Sequence, residues 1–338
     1  MTVRCACMRE RRILFTAERP SRFEPITPRE YCLTQQNSFY TRRHSSAEEK
    51  KVNSRSVDTK LCVALPASLV ADTPHLREKT AKLGTIARAC AIFGTHEVIL
   101  YPDVAQQERT EDMQLCEQIL GYIETPQYLR KRLFGLSPSL KYAGILPPLQ
   151  IPPHDVPRSV RDCNEGDVRE GVVVARHGAS FDVDVGLERT VECRGALQVG
   201  TRITVQLTNV GRNLVGEISD PTKISIYWGY RVKQSKFRLA TLLEKERFDL
   251  RIGTSRYGAN VLDIWPKISS AMKNVGSILV AFGSPRLGLT EILRQEGKST
   301  ESVFSFLINT VPAQNVATVR TEEAVLISLG LLNCMRLG

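Results

Sequence analysis

The hydrophobic period of this chain changes twice, and that double change limits its possible folds more than any other feature. Up to Phe134, strand-length apolar runs alternate with segments of helical period. Residues 61–70 (Leu-Cys-Val-Ala-Leu-Pro-Ala-Ser-Leu-Val) read as a buried strand, 76–93 as a helix closed by Gly94, and 97–101 as a second strand. Helices follow over 110–122 and 127–134, so the order is that of an α/β unit with a parallel sheet. A stiff proline-rich connector, Leu146-Pro-Pro-Leu-Gln-Ile-Pro-Pro, then breaks the pattern. Beyond it come short period-two runs starting at Gly171, Ser180, Thr190, Thr201 and Asn213, punctuated by glycine. Five such runs in so short a stretch predict a small β-barrel of the OB kind. Helix and strand alternate again afterwards: helices over 239–245, 268–274, 290–295 and 321–332, strands over 248–254, 277–282 and 304–309. The expectation is therefore one α/β domain, 59–150 and 221–338, interrupted by an all-β insert, 151–220, and preceded by a tail, 1–58.

Charge sorts these parts. The whole chain carries +10 over 338 residues, a balance that favours an acidic partner, nucleic acid first. Residues 1–44 hold nine arginines, four glutamates and no lysine. With serine and threonine nearby this resembles an organellar import segment, although the glutamates also suit a plain basic tail. Mitochondrial location is the expectation, nuclear or cytoplasmic the alternative. Residues 222–256 hold nine bases against three acids, whereas 161–220 hold ten acids against seven bases. Arg231, Lys233, Lys236 and Arg238, beside Tyr227, Trp228, Tyr230 and Phe237, are thus the candidate phosphate-binding surface with stacking side chains; a merely solvated face is the plain alternative. No apolar run is long enough to span a membrane. The nine cysteines form no CxxC pair, which points to a reducing compartment rather than a disulfide scaffold or a metal site.

Three turns after apolar strands carry the candidate chemistry: Ile252-Gly-Thr-Ser255, Phe282-Gly-Ser-Pro-Arg-Leu-Gly-Leu289 and Ile308-Asn-Thr-Val-Pro-Ala-Gln-Asn315. In open α/β sheets ligands sit outside the carboxyl ends of strands, and glycine there lets backbone approach a ligand closely. Ile308, Val311, Pro312 and Val316 could form an apolar slot for a heterocycle, with Asn309 and Thr318 serving polar groups.

The second and third turns, with Thr318-Val-Arg-Thr-Glu-Glu-Ala-Val-Leu-Ile-Ser-Leu329, resemble the C-terminal half of SPOUT-class RNA methyltransferases. Arg88-Ala-Cys-Ala-Ile-Phe93 and Tyr227-Trp-Gly-Tyr230 narrow the resemblance to the archaeal and eukaryotic branch with an inserted barrel, over residues 60–333. The resemblance implies a SPOUT-type parallel sheet whose C-terminal segment threads a trefoil knot, S-adenosylmethionine bound in the knot loops, and a homodimer joined through the knot helices. It implies an RNA substrate, ribosomal or otherwise structured, and through it ribosome-assembly intermediates as partners. Carried over by motif, the cofactor residues are Thr254, Ser255, Gly283, Ser284, Gly288, Ile308, Asn309, Pro312, Asn315, Val316 and Thr318. A sulfonium donor is already activated, so an enzyme must mainly align the acceptor and take a proton. Glu322 is a candidate for that proton, although a first-turn glutamate also complements a helix dipole. Arg256, or Arg286 in its place, is a candidate for steering a phosphate of the substrate. Here the chain departs from the family pattern, reading Arg256-Tyr257-Gly258 where an acidic residue, arginine and glycine are usual. That departure supports the second reading, an RNA-binding assembly factor that keeps the fold without turnover.

Overall fold

A computed structural model describes residues 59–103, 106–273 and 275–337, so the expectations for the tail lie outside the described residues. The first half contains β1 (Lys60–Pro66), α1 (Leu76–Ile92), β2 (Glu97–Tyr101), α2 (Gln106–Glu124) and α3 (Gln127–Leu133). Next come β3 (Val168–His177), β4 (Ser180–Asp184), β5 (Val191–Arg194), β6 (Arg202–Val210) and β7 (Leu214–Ser219). The last part contains β8 (Arg231–Gln234), α4 (Leu239–Lys245), β9 (Leu250–Asn260), α5 (Val261–Met272), β10 (Ser277–Ala281), α6 (Leu289–Arg294), α7 (Thr300–Val303), β11 (Phe306–Asn309) and α8 (Thr321–Leu337).

Six strands form one sheet in the order β11-β9-β10-β1-β2-β8, and every pairing is parallel. β1 lies inside it, and its unbroken apolar run follows from burial on both faces. Leu61, Val63 and Leu65 join one core with residues of α1, α2, α5 and α8. Cys62 and Ala64 point the other way, into a second core with α4, α6 and α7. The alternation is the period-two geometry of a strand.

The inserted strands close into a barrel in the order β3-β4-β5-β7-β6. Only β5 and β7 pair in parallel, the other contacts being antiparallel, which is the connectivity of an OB-type barrel. Phe181, Val183, Val191, Cys193, Val205 and Leu207 fill its interior.

A buried polar cluster ties the barrel to the α/β domain. Arg202 on β6 donates from Nη1 and Nη2 to the two carboxylate oxygens of Glu124, at the end of α2 (2.6 and 3.1 Å), and from Nε to Glu170 on β3 (2.7 Å). Thr204 and Trp228 both donate to the other Glu170 oxygen (2.6 and 2.7 Å). Burial opposes the charge of Arg202, and the two carboxylates outweigh it and raise its pKa above the usual value. Gly229 sits at φ 108°, and a Cβ there would come within 2.5 Å of Glu124.

Three local expectations are corrected. The basic block contains an edge strand, β8, whose short alternation is masked by its charges. α5 begins at Val261 rather than at 268, because the Asn260 side chain accepts from Leu262 N (3.0 Å) and caps it ahead of Pro266. The first of the three turns is no turn, since Thr254 and Ser255 lie within β9.

Candidate active-site cleft

At the carboxyl ends of β9 and β11 the two strands part and rejoin. Ile252 and Gly253 face Phe306 and Leu307, and the next pairs are Ala259 with Ile308 and Asn260 with Asn309. Residues 254–258 therefore stand out of the ladder as a bulge. Both feet are fixed: Thr254 Oγ1 donates to the Ala281 carbonyl (2.9 Å), and at Gly258 a Cβ would approach the Ile308 carbonyl carbon to 2.6 Å. Only glycine allows that crossing.

The facing segment, after β11, is braced by its own side chains. Asn309 accepts from Val311 N (3.0 Å) and donates through Nδ2 to the Arg256 carbonyl (2.9 Å), so its amide joins segment to bulge. Gln314 Nε2 donates to the Val316 carbonyl (2.8 Å), and Arg256 Nη1 to that of Ala317 (3.2 Å). Ala313 is held at φ 55°, in the left-handed region. Between bulge and segment lies an open cleft of about 470 Å³, with Arg256, Tyr257, Asn309 and Val316 in its walls. That volume suits a nucleoside-sized ligand. Val316 remains 58% exposed and supplies an apolar wall.

The remaining cofactor candidates do not line this cleft. Gly283, Ser284 and Gly288 form a closed turn after β10: Ser284 N donates to the Leu287 carbonyl (2.9 Å), and Leu287 N to Ser284 Oγ (3.0 Å). Gly288 is the residue preceding α6. Ile308 is wholly buried, so its side chain belongs to the core. Ser255 Oγ accepts from Tyr257 N (3.2 Å) within the bulge. Pro312, Asn315 and Thr318 lie on the 309–318 segment, with Asn315 and Thr318 exposed.

Arg256 lines the cleft and Glu322 does not. Glu322, in the first turn of α8, lies 3.5 Å from Lys82 Nζ on α1, which also binds Asp72 (2.7 Å). Its Oε2 has no hydrogen-bond partner. The basic residues are on the opposite edge of the sheet. Arg231 and Lys233 point outward from β8, Lys233 pairing with Glu246 (2.5 Å). Arg238 contacts Gln295 (3.2 Å) and Glu296 (3.9 Å), while Lys236 is exposed.

Tyr257 lines the cleft but was not among the sequence candidates, whereas Gln314 belongs to the third candidate turn without having been singled out. The signal for Tyr257 was present as the break in the family motif. Among the described residues no group of three or more His, Cys, Asp and Glu could hold a metal, and no helix is long and apolar enough to cross a membrane.

The family described as "Putative RNA methyltransferase" matches residues 60–332. A human protein named 28S rRNA (uridine-N(3))-methyltransferase is 35% identical over 303 residues, covering 80% of this chain and 77% of its own length. The mouse protein of that name is 35% identical over 306 residues (80% and 75%). The Drosophila melanogaster protein of that name is 30% identical over 338 residues (89% and 67%).

Proposed function

The chain belongs to this family of RNA methyltransferases, of the SPOUT class, and on that premise we propose that it methylates N3 of a uridine in ribosomal RNA. The observation that carries the reading is the 35% identity to the human enzyme of that name, held over four-fifths of the chain. S-adenosylmethionine is the methyl donor of the class, and when bound it supplies a methyl group already activated on a sulfonium. The cleft fits that group in kind: its volume of about 470 Å³ accommodates a nucleoside, and Val316 offers an apolar surface for a purine.

The chain's own residues then serve the acceptor. N3 of uridine carries a proton and lies between two carbonyl oxygens, so it becomes nucleophilic when that proton leaves. Arg256 is fixed by the Ala317 carbonyl and stands in the cleft wall. There it can donate to an oxygen beside N3 and favour the deprotonated ring. The released proton goes to solvent, because Glu322 lies outside the cleft with its Oε2 facing Lys82 Nζ (3.5 Å). Incubation of the protein with ribosomal RNA and labelled donor, followed by mass spectrometry of nucleosides, is expected to yield 3-methyluridine. Arg256→Ala should lower kcat by about 100-fold, the usual cost of losing one such donor. Methyl groups on ribose or on another base would contradict the assignment.

Three finer points belong to the same reading. Leu262, Leu326 and Ile327 stay 63%, 40% and 37% exposed on α5 and α8, which supports a homodimer through these helices; light scattering of Leu326→Asp should then give a monomer. α8 lies against α1 and α5, and Thr310 bonds Ser328 in the interior (2.9 Å), which supports a threaded C-terminal segment. The arginine-rich residues 1–44 support mitochondrial import, and a fluorescent fusion found in the nucleus or cytoplasm would count against it.

A further inference from the structure

We propose that Tyr257, propped by Arg256, is the surface on which an unpaired nucleobase of the RNA substrate stacks at the mouth of the cleft. The proposal rests on the RNA methyl transfer argued above and adds a substrate-positioning residue to it.

Tyr257 stands at the tip of the 254–258 bulge with 73% of its surface exposed. An aromatic ring so placed gives up its hydrophobic burial and leaves a face open for stacking. The tip is not a loose loop. Thr254 Oγ1 anchors one foot to Ala281, Gly258 crosses the Ile308 backbone at the other, and Asn309 Nδ2 holds the Arg256 carbonyl between them. The ring is thus presented in one place. The Arg256 guanidinium lies 4.7 Å from the ring centroid and is itself bound to the Ala317 carbonyl. It stiffens the ring through a cation–π contact and leaves most of the side chain to solvent.

An enzyme that modifies a ring nitrogen involved in base pairing must take the base out of its stack. Unstacked RNA bases are held on aromatic faces and guanidinium planes, the two groups joined here. Charge selects RNA over a second copy of the chain. Among the described residues Arg256 forms no ion pair with a carboxylate, so its positive charge stays available to the RNA substrate. A symmetric contact between copies centred on the tip would instead set Arg256 against itself.

The test uses the full chain with Tyr257→Ala, Tyr257→Phe and Tyr257→Trp. It reads S-adenosylhomocysteine affinity by calorimetry, oligomeric state by light scattering, kcat/KM with ribosomal RNA, and quenching of 2-aminopurine in an RNA fragment. Tyr257→Ala should lower kcat/KM by roughly 10- to 100-fold and abolish the quenching, while Phe and Trp stay within about threefold of the unaltered protein. Oligomeric state should not move in any variant, and because Tyr257 also lines the cleft any change in cofactor affinity should be smaller than the loss of kcat/KM. The proposal is overturned if Tyr257→Ala keeps full kcat/KM and quenching, or if Phe fails as badly as Ala. It is equally overturned if weaker cofactor binding accounts for the whole loss of kcat/KM in the alanine variant, or if that variant changes its oligomeric state. Absence of methyl transfer by the unaltered protein would refute the enzymatic reading instead, and the quenching comparison would still decide the role of the ring.

Discussion

Asn309 shows how far one residue's role can be read from its type. The sequence marks it as a polar group beside a ligand, and the structure spends both ends of its amide inside the protein, on Val311 N and the Arg256 carbonyl. Its removal should therefore act through the cleft wall. Asn309→Ala is expected to weaken S-adenosylhomocysteine binding by about tenfold, in line with losing one or two modest hydrogen bonds; calorimetry showing unchanged affinity would remove Asn309 from the site. The basic residues teach the converse. Arg231, Lys233, Lys236 and Arg238 look equivalent in sequence, yet Lys233 is paired with Glu246 and Arg238 lies beside Glu296. Neutralising Arg231 and Lys236 together should reduce the slope of log affinity against log salt by about 1.4 for a single-stranded target. The Lys233 and Arg238 double variant should change it less, and the opposite ranking would place the RNA elsewhere. Spacing alone could not separate these two pairs, because ion pairing is decided by residues distant along the chain.

At the scale of elements, what was legible followed from periodicity. β4 and β5 announce themselves because they alternate cleanly, and β1 because it is apolar from Leu61 onward. β8 was not legible: its residues, Arg-Val-Lys-Gln, carry one apolar side chain, and charged residues on an edge strand also discourage pairing with other chains. Nor was the joint between barrel and sheet, since Glu124, Glu170 and Arg202 are far apart in sequence and meet only through tertiary structure. That joint is strong as a unit and weak when broken, because removing one partner strands a buried charge. Arg202→Met should cost about 3–5 kcal/mol where barrel meets α2. Hydrogen exchange should then rise in β3, β6 and the last turn of α2 while β10 keeps its protection; unchanged protection in β3 and β6 would show that the cluster does not hold the barrel.

Across the whole molecule, the barrel and the cleft are set far apart. Barrel contacts gather where α2 ends and β8 begins, at the amino ends of the strands, whereas the cleft opens at the carboxyl ends of β9 and β11, at the other side of the sheet. Five strand spacings and a strand length put them on the order of 30 Å apart. An RNA touching both must be extended or folded, not a trinucleotide. Excising residues 168–219 behind a short linker should leave the cleft formed, but with Glu124 deprived of Arg202. The same excision carrying Glu124→Gln should melt at a higher temperature, and equal melting points would show that this charge is not a burden once exposed. The packing of α8 on α1 has a consequence in time. Val325, Leu329 and Leu332 complete a core with Leu83, Ile86 and Cys90, which were synthesised long before. During translation the face of α1 has to wait, apolar and uncovered, until α8 has left the ribosome. A message broken by a nonsense codon ahead of α8 thus yields no partly active enzyme, only a chain whose oldest helix has lost its cover and is offered to chaperones and proteases.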